Sequence, residues 1–178
     1  MSENAAWAFA LYDYDAVEAG DLKFRAGDLL HIVSLPSMNV DFNWIVAENP
    51  RTGDQGEVPS NYITRECGYS ATLDAFRDTD RSGANSLLQS PSYLSNFNYI
   101  VRPSRDNDGM ALSVRTAKGC VTHYKIYFNP QDKSCRLFPS ESFDTIEDLV
   151  IHYMENEIQQ GVKLQAYKPF KDSMPPIS

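Results

Sequence analysis

The first third of the chain consists of short apolar runs separated by turn-forming segments rich in glycine, aspartate and asparagine. Runs of this length, with no apolar positions at helical spacing, predict a small all-β barrel or sandwich. We place this barrel over residues 7–65. Its predicted strands cover residues 8–14, 29–35, 43–47, 56–59 and 62–64.

The pattern changes after a segment without sustained periodicity, which we interpret as a linker over residues 66–75. A short helix follows Asp80, a suitable N-cap, and a second helix over 145–155 begins with the capping-box pair Thr145 and Asp148. Turns between them are typical of antiparallel hairpins. We therefore predict an α+β sandwich, an antiparallel sheet between two helices, over residues 76–169 and a short tail over 170–178. Its strands are predicted at 99–103, 110–116, 121–128 and within 161–169, and 89–98 is a predicted loop.

Charge is unevenly distributed along the 178 residues, whose net charge is −8. Residues 1–66 hold 11 acids and 4 bases, whereas residues 67–178 hold 13 acids and 12 bases. This balance argues against a general nucleic-acid binder. The first third is expected to attract basic partners, and the remainder has bases available for an anion.

The expected environment is the cytoplasm, without membrane insertion. No apolar run approaches the roughly 18 residues that cross a bilayer, and the N-terminus has neither a signal sequence nor a myristoylation glycine. Cys67, Cys120 and Cys135 lack metal-ligand spacing, so we expect reduced thiols, no metal and no cofactor.

Arg102 lies at the end of an apolar, β-branched run, where strand periodicity points side chains into a core. A guanidinium cannot lose its charge to escape burial, so it needs an anionic partner. Either Asp106 or Asp108 supplies it, or a ligand phosphate does, since the planar fork grips two phosphate oxygens at once.

The first segment resembles a Src homology 3 (SH3) domain. The resemblance rests on Ala10-Leu-Tyr-Asp-Tyr14, Asp21-Leu-Lys-Phe24, Gly27-Asp28, Trp44 and Val58-Pro-Ser-Asn-Tyr62, in that order. It implies a surface that binds proline-rich, polyproline II segments between flat rings. It also implies that Asp21 pairs with a basic residue of the ligand, with Glu18 and Asp41 as further candidates. The implied groove residues are Tyr12, Tyr14, Trp44, Pro59 and Tyr62.

The second segment resembles a Src homology 2 (SH2) domain. The resemblance rests on Tyr99-Ile-Val-Arg-Pro-Ser104, Ala111-Leu-Ser-Val-Arg115, His123-Tyr-Lys-Ile126, residues 143–153 and Tyr167-Lys-Pro169, although Ala75-Phe76 replaces the tryptophan with which the family normally opens. It implies that Arg102 grips a phosphotyrosine phosphate and that His123 lines the pocket. Further phosphotyrosine contacts are implied for Ser104, Arg105, Arg81 and Lys125. Specificity for residues beyond the phosphotyrosine is implied for Tyr124, Leu137 and Phe138.

These resemblances predict a non-catalytic SH3–SH2 adaptor that joins a proline-rich partner to a tyrosine-phosphorylated one at sites of tyrosine phosphorylation. One alternative is the regulatory region of a Src-like or Abl-like non-receptor tyrosine kinase, although no kinase motif occurs in these residues. Another is a scaffold with a vestigial phosphate pocket. A third is a cysteine hydrolase using His31, His123 or His152, although no nucleophile motif accompanies these histidines.

Overall fold

The computed structural model describes residues 7–34, 44–66, 68–104 and 109–167. These residues form two antiparallel sheets. The strands of the first sheet are β1 (Trp7–Ala10), β2 (Leu29–Ser34), β3 (Trp44–Asn49), β4 (Asp54–Pro59) and β5 (Ile63–Thr64), in the order β4-β3-β2-β1-β5. Those of the second are β6 (Tyr99–Ser104), β7 (Gly109–Arg115), β8 (Val121–Phe128) and β9 (Cys135–Arg136), in that order.

The first sheet curls into the predicted small barrel. The positions on β1 and β2 that alternate with Phe9 and Leu29 face inward, because successive side chains of a strand point to opposite faces. Ala8 and Leu30, which are fully buried, belong to this inner core. The inner core consists of Ala8, Ala10, Leu22, Phe24, Leu30, Ile32, Ile45, Ala47 and Val58.

The second sheet and its helices form the predicted α+β sandwich. Asp80 accepts a hydrogen bond from the amide of Gly83 and Thr145 accepts one from that of Asp148, so both helices start at the predicted caps. The fold class, two small domains of these types in this order, is confirmed. The helices are α1 (Ala71–Asp74), α2 (Arg81–Leu87), α3 (Pro91–Leu94) and α4 (Ile146–Glu155). Across the described ranges, none has the length and apolar character of a bilayer-spanning helix.

Local differences from the sequence prediction occur in three segments. The predicted linker contains α1, and the predicted loop 89–98 contains α3, which starts at Pro91. Both helices have a single turn, too short to show a helical repeat in sequence. The predicted closing strand contributes only the single bridges of Val162 and Ala166 in the part of 161–169 that is described.

The helix α1 is anchored to α4 by Glu147. This carboxylate accepts hydrogen bonds from the Thr72 amide at 2.9 Å, the Thr72 hydroxyl at 2.7 Å and the Ser70 hydroxyl at 3.1 Å. Burial raises the pKa of Glu147, and these donors oppose that rise. The segment that precedes the sandwich is therefore packed into it.

Candidate functional site

Arg102 is buried on one face of the second sheet, with 6% of its surface exposed. It lies opposite Ala111 on β7, which lies opposite Lys125 on β8, and Ser113 pairs with His123 on the same strands. Directly paired residues point to the same face, so this register brings Arg102, Ser113, His123 and Lys125 to one surface. The burial that strand periodicity predicted for Arg102 is confirmed.

A directed chain of hydrogen bonds holds the guanidinium in place. Arg102 Nε donates to Ser113 Oγ at 3.0 Å, and Ser113 Oγ lies 2.7 Å from His123 Nδ1. On the other side of the ring, His123 Nε2 lies 2.9 Å from Asn85 Oδ1 on α2. Because the amide oxygen can only accept, we assign the ring proton to Nε2, which leaves Nδ1 to accept from the Ser113 hydroxyl.

His123 is uncharged at neutral pH. Burial, together with the positive charges of Arg81 and Arg102, lowers the pKa of His123 to about 4. A neutral ring can accept at Nδ1, as the chain of hydrogen bonds requires. This geometry gives His123 a positioning task between α2 and the sheet.

Ser113 and Asn85 are functional candidates that sequence reasoning missed. Ser113 is fully buried between Arg102 and His123, while Asn85 is exposed on α2. A hydroxyl inside the apolar run of β7 was the available signal for Ser113. Asn85 gave no signal, because a polar residue on an exposed helix face is ordinary.

The other candidate phosphate-binding residues differ in position. Arg81 is exposed at the start of α2, close enough to His123 for its charge to lower the pKa of the ring. Ser104 is half-buried at the end of β6. Lys125 is exposed, and its Nζ lies 5.0 Å from the ring centre of Tyr127. Arg105 lies outside the described residues.

The candidate specificity residues include one aromatic pair. The rings of Tyr124 and Phe138 meet edge to face with centres 6.2 Å apart, and burial raises the pKa of Tyr124. Leu137 is 5% exposed and belongs to the sandwich core, so it offers little surface to a peptide. Of the three candidate specificity residues, Tyr124 and Phe138 therefore provide most of the surface that a peptide can reach.

The barrel brings the predicted groove aromatics together. Tyr14 lies 5.5 Å from Tyr62 and 6.4 Å from Trp44 between ring centres, and Tyr12 lies 5.7 Å from Tyr62. Trp44 is 41% exposed, which is high for so large an apolar side chain. Pro59 pairs with Trp44 across β3 and β4 and is itself buried.

Asp21 is fixed beside this aromatic surface. Its Oδ2 accepts from the Tyr14 hydroxyl at 2.7 Å and from the Glu18 amide at 3.1 Å. The hydrogen bond from Tyr14, followed by that from the Glu18 amide, lowers the pKa of Asp21, so the carboxylate stays charged. Glu18 is exposed beside it, and Asp41 lies outside the described residues.

Cys135 does not provide the nucleophile of the hydrolase alternative. Its side chain is 1% exposed, and burial raises its pKa to about 12. A thiol in this state is inert, because the thiolate is the nucleophilic form.

Comparisons with known proteins find two families in succession. The SH3 domain family matches residues 9–60, and the SH2 domain family matches residues 76–153. The solved structure of the C-terminal SH3 domain of myosin IB from Entamoeba histolytica, bound to an EhFP10(GEF) peptide, is 31% identical to the chain. The matched region amounts to 33% of this chain and 86% of the myosin IB chain, and the TM-score is 0.27.

Two curated relatives that match most of the chain are tyrosine kinases. Tyrosine-protein kinase Fgr of Mus musculus is 32% identical over 151 residues, which are 82% of this chain and 28% of that kinase. Tyrosine protein-kinase src-1 of Caenorhabditis elegans is 29% identical over 166 residues, which are 90% of this chain and 30% of that protein. The chain thus spans less than a third of either relative.

Proposed function

This chain belongs to the proteins that carry an SH3 domain followed by an SH2 domain, and on that basis we propose that it is a signalling adaptor without catalysis of its own. Its SH2 domain binds tyrosine-phosphorylated receptors or scaffolds, and its SH3 domain binds proline-rich segments with a basic flank. It acts in the cytoplasm, where it is recruited to sites of tyrosine phosphorylation.

The observation that carries the proposal is the buried, oriented guanidinium of Arg102. Ser113 holds its Nε side, and the Nη1 group donates to the Pro103 carbonyl at 3.2 Å. A phosphate on an aromatic ring reaches such a recessed group, whereas phosphoserine is too short. Charge-assisted hydrogen bonds to the phosphate contribute roughly 1.5–3 kcal/mol each. Arg81, Ser104, Arg105 and Lys125 are proposed to complete the pocket around the phosphate and the ring.

Calorimetry with three peptides of one sequence tests the SH2 function. The peptides carry phosphotyrosine, tyrosine or phosphoserine at the same position, drawn from a library selected on the protein. We expect measurable binding of the phosphotyrosine peptide alone. Equal affinity for the phosphotyrosine and tyrosine peptides would support the vestigial pocket and contradict the proposal.

For the SH3 function we expect Trp44→Ala to weaken the binding of a proline-rich peptide by about 2 kcal/mol, or ~30-fold, as for other exposed aromatic anchors. Tyr14, Tyr62 and the charged Asp21 provide the remaining proposed contacts, the last one to a ligand arginine or lysine. Fluorescence titration measures the change. The control is Val33→Ala on β2, where the side chain is also exposed, and this variant leaves the affinity unchanged. A Trp44→Ala affinity equal to that of the wild type would rule out this groove.

A second candidate is favoured by the relatives, both of which are tyrosine kinases. In that case these domains are the regulatory region of a longer kinase. An immunoblot of the native protein with an antibody against the SH2 domain separates the two. A band near 20 kDa supports the adaptor, and a band several times larger supports the kinase.

A further inference from the structure

The outer face of the SH3 barrel is apolar where β1 and β2 run side by side. Trp7, Phe9 and Leu11 alternate with the inward-facing alanines of β1, and Leu29 is paired with Phe9 on β2. The outer face of a small antiparallel sheet normally contacts water and is polar. Here Phe9 and Leu29 are only 1% and 2% exposed, so another part of the molecule covers this face.

The cover is the SH2 domain. Trp7, Phe9, Leu11 and Leu29 belong to the same buried cluster as Leu73, Phe76, Ile100 and Leu149, and not to the inner core of the barrel. The ring of Trp7 lies 4.7 Å from that of Phe76 between centres. The hydrophobic core of the SH2 domain therefore continues through the interface onto the SH3 domain.

Close backbone approach occurs at a second place. Gly27 has a φ of +98°, and a Cβ atom there would lie 2.9 Å from Thr145 Oγ1 and 3.3 Å from Glu147 Cβ. The turn before β2 therefore abuts the first residues of α4, with no room for a side chain. Both the N-cap of α4 and its anchoring glutamate take part in this contact.

Polar groups fix the interface at its edge. Arg51 Nη1 donates to the Lys133 carbonyl at 2.9 Å, while Nε and Nη2 of the same guanidinium bind Asp28 at 2.7 and 2.9 Å. Arg25 and Asp144 form an exposed ion pair at 3.3 Å. Interfaces between domains of one chain are usually polar and permit motion, whereas this one combines an apolar centre with contacts from separate segments on both sides.

We propose that the SH3 and SH2 domains form one rigid bivalent receptor, which selects partners by the spacing between their proline-rich segment and their phosphotyrosine. The inference rests on the proposed function of each domain. When two binding sites are held at one separation, a ligand that matches it binds both without the cost of ordering the domains. A partner with another spacing engages only one site.

Rigidity is measured directly on the wild-type protein by backbone ¹⁵N relaxation. One rigid unit gives the same rotational correlation time for amides of both domains, that of a particle of the whole mass. Separate, shorter correlation times for the two domains overturn the proposal. This measurement needs neither a ligand nor a variant.

Spacing selection is measured with synthetic peptides that join the two motifs by helical spacers of increasing length. The spacers consist of repeated Glu-Ala-Ala-Ala-Lys units, which are semi-rigid at about 1.5 Å per residue. We expect one length to bind the wild type at least ~10-fold more tightly than the next shorter and longer ones, within the range of avidity gains. Affinities of all lengths within ~3-fold of one another overturn the proposal.

Leu29→Arg places a charge in the interface and serves as the uncoupled variant. It is expected to flatten the length dependence and to leave single-motif peptides at wild-type affinity. Val33→Arg adds the same charge on the same strand at a position that is 48% exposed, and it keeps the wild-type profile. Equal flattening in both variants contradicts the proposal. If Leu29→Arg does not fold, the ¹⁵N relaxation data on the wild type decide whether the two domains form one rigid unit.

The single-motif peptides also separate this inference from the proposed function. If neither binds, the function of the domains is wrong. If both bind and no spacer length is preferred, the functions stand and the rigid coupling is wrong.

Discussion

Arg102→Ala lowers the affinity for a phosphotyrosine peptide by about 2–5 kcal/mol, from ~30-fold to several thousandfold, as expected for removing one partner of a buried charge pair. The reason is the position of the guanidinium, recessed on the sheet and aligned by Ser113. Arg102→Lys is expected to recover little of the loss, since an ammonium cannot form the two parallel bonds of the guanidinium fork. Calorimetry with the phosphotyrosine peptide measures both variants.

The matched control is Arg115→Ala. Arg115 is the last residue of β7 in the same sheet, opposite Val121, and this end of the sheet holds none of the proposed phosphate contacts. We expect the Arg115→Ala variant to keep the wild-type affinity for the phosphotyrosine peptide. Affinity for the proline-rich peptide, unchanged in all three variants, shows that the fold is intact. Loss of phosphopeptide binding in the control alone would place the phosphate at the other end of the sheet.

Arg51→Met lowers the free energy of unfolding by about 3–5 kcal/mol, because it leaves a buried carboxylate without its counter-charge. Asp28 is 1% exposed, and Arg51 supplies two of the hydrogen bonds to it. Among the described residues, the Asn49 amide group at 3.0 Å and the Arg25 backbone amide at 2.8 Å also donate to it, and both are uncharged. Urea unfolding followed by tryptophan fluorescence measures the loss.

Two further variants identify its cause. Adding Asp28→Asn to Arg51→Met removes the stranded charge and keeps an acceptor for the Arg25 amide, so at least half of the lost stability returns. Arg25→Met breaks only the exposed pair with Asp144 and costs less than about 1 kcal/mol. A double variant no more stable than Arg51→Met would mean that the lost Lys133 contact, and not the charge of Asp28, causes the effect.

The two folds were predictable because their patterns are local. Alternation along the strands and the caps Asp80 and Thr145 depend on neighbouring residues, and the structure contains both caps where the sequence places them. The single-turn helices α1 and α3 escaped prediction. The distant Glu147 holds α1, and the Tyr93 hydroxyl of α3 donates to the Ala75 carbonyl; no local pattern reveals such contacts.

Of the candidate site, Arg102 was predictable, because a charge within an apolar strand is exceptional and needs an explanation. The hydrogen-bond partners that orient it were not. Ser113 and Asn85 reach His123 from different elements, and their convergence depends on strand register and on where α2 packs.

The contact between the domains was outside the reach of sequence reasoning altogether. Trp7, Phe9 and Leu29 are residue types that occur in any strand. That β1 is apolar on its outer as well as its inner face becomes visible only when its residues are assigned to the two faces of the sheet. The predicted linker also takes part in this contact between the domains, because the residues of α1 within it are buried against β1 and α4.

The central claim is that the Arg102 guanidinium binds the phosphate of phosphotyrosine. NMR of its side-chain N–H groups during a peptide titration tests this most directly. The account predicts downfield shifts of the Arg102 signals that saturate with the affinity found by calorimetry, and no shift with the unphosphorylated peptide. Saturated phosphopeptide binding that leaves the Arg102 signals in place would contradict it.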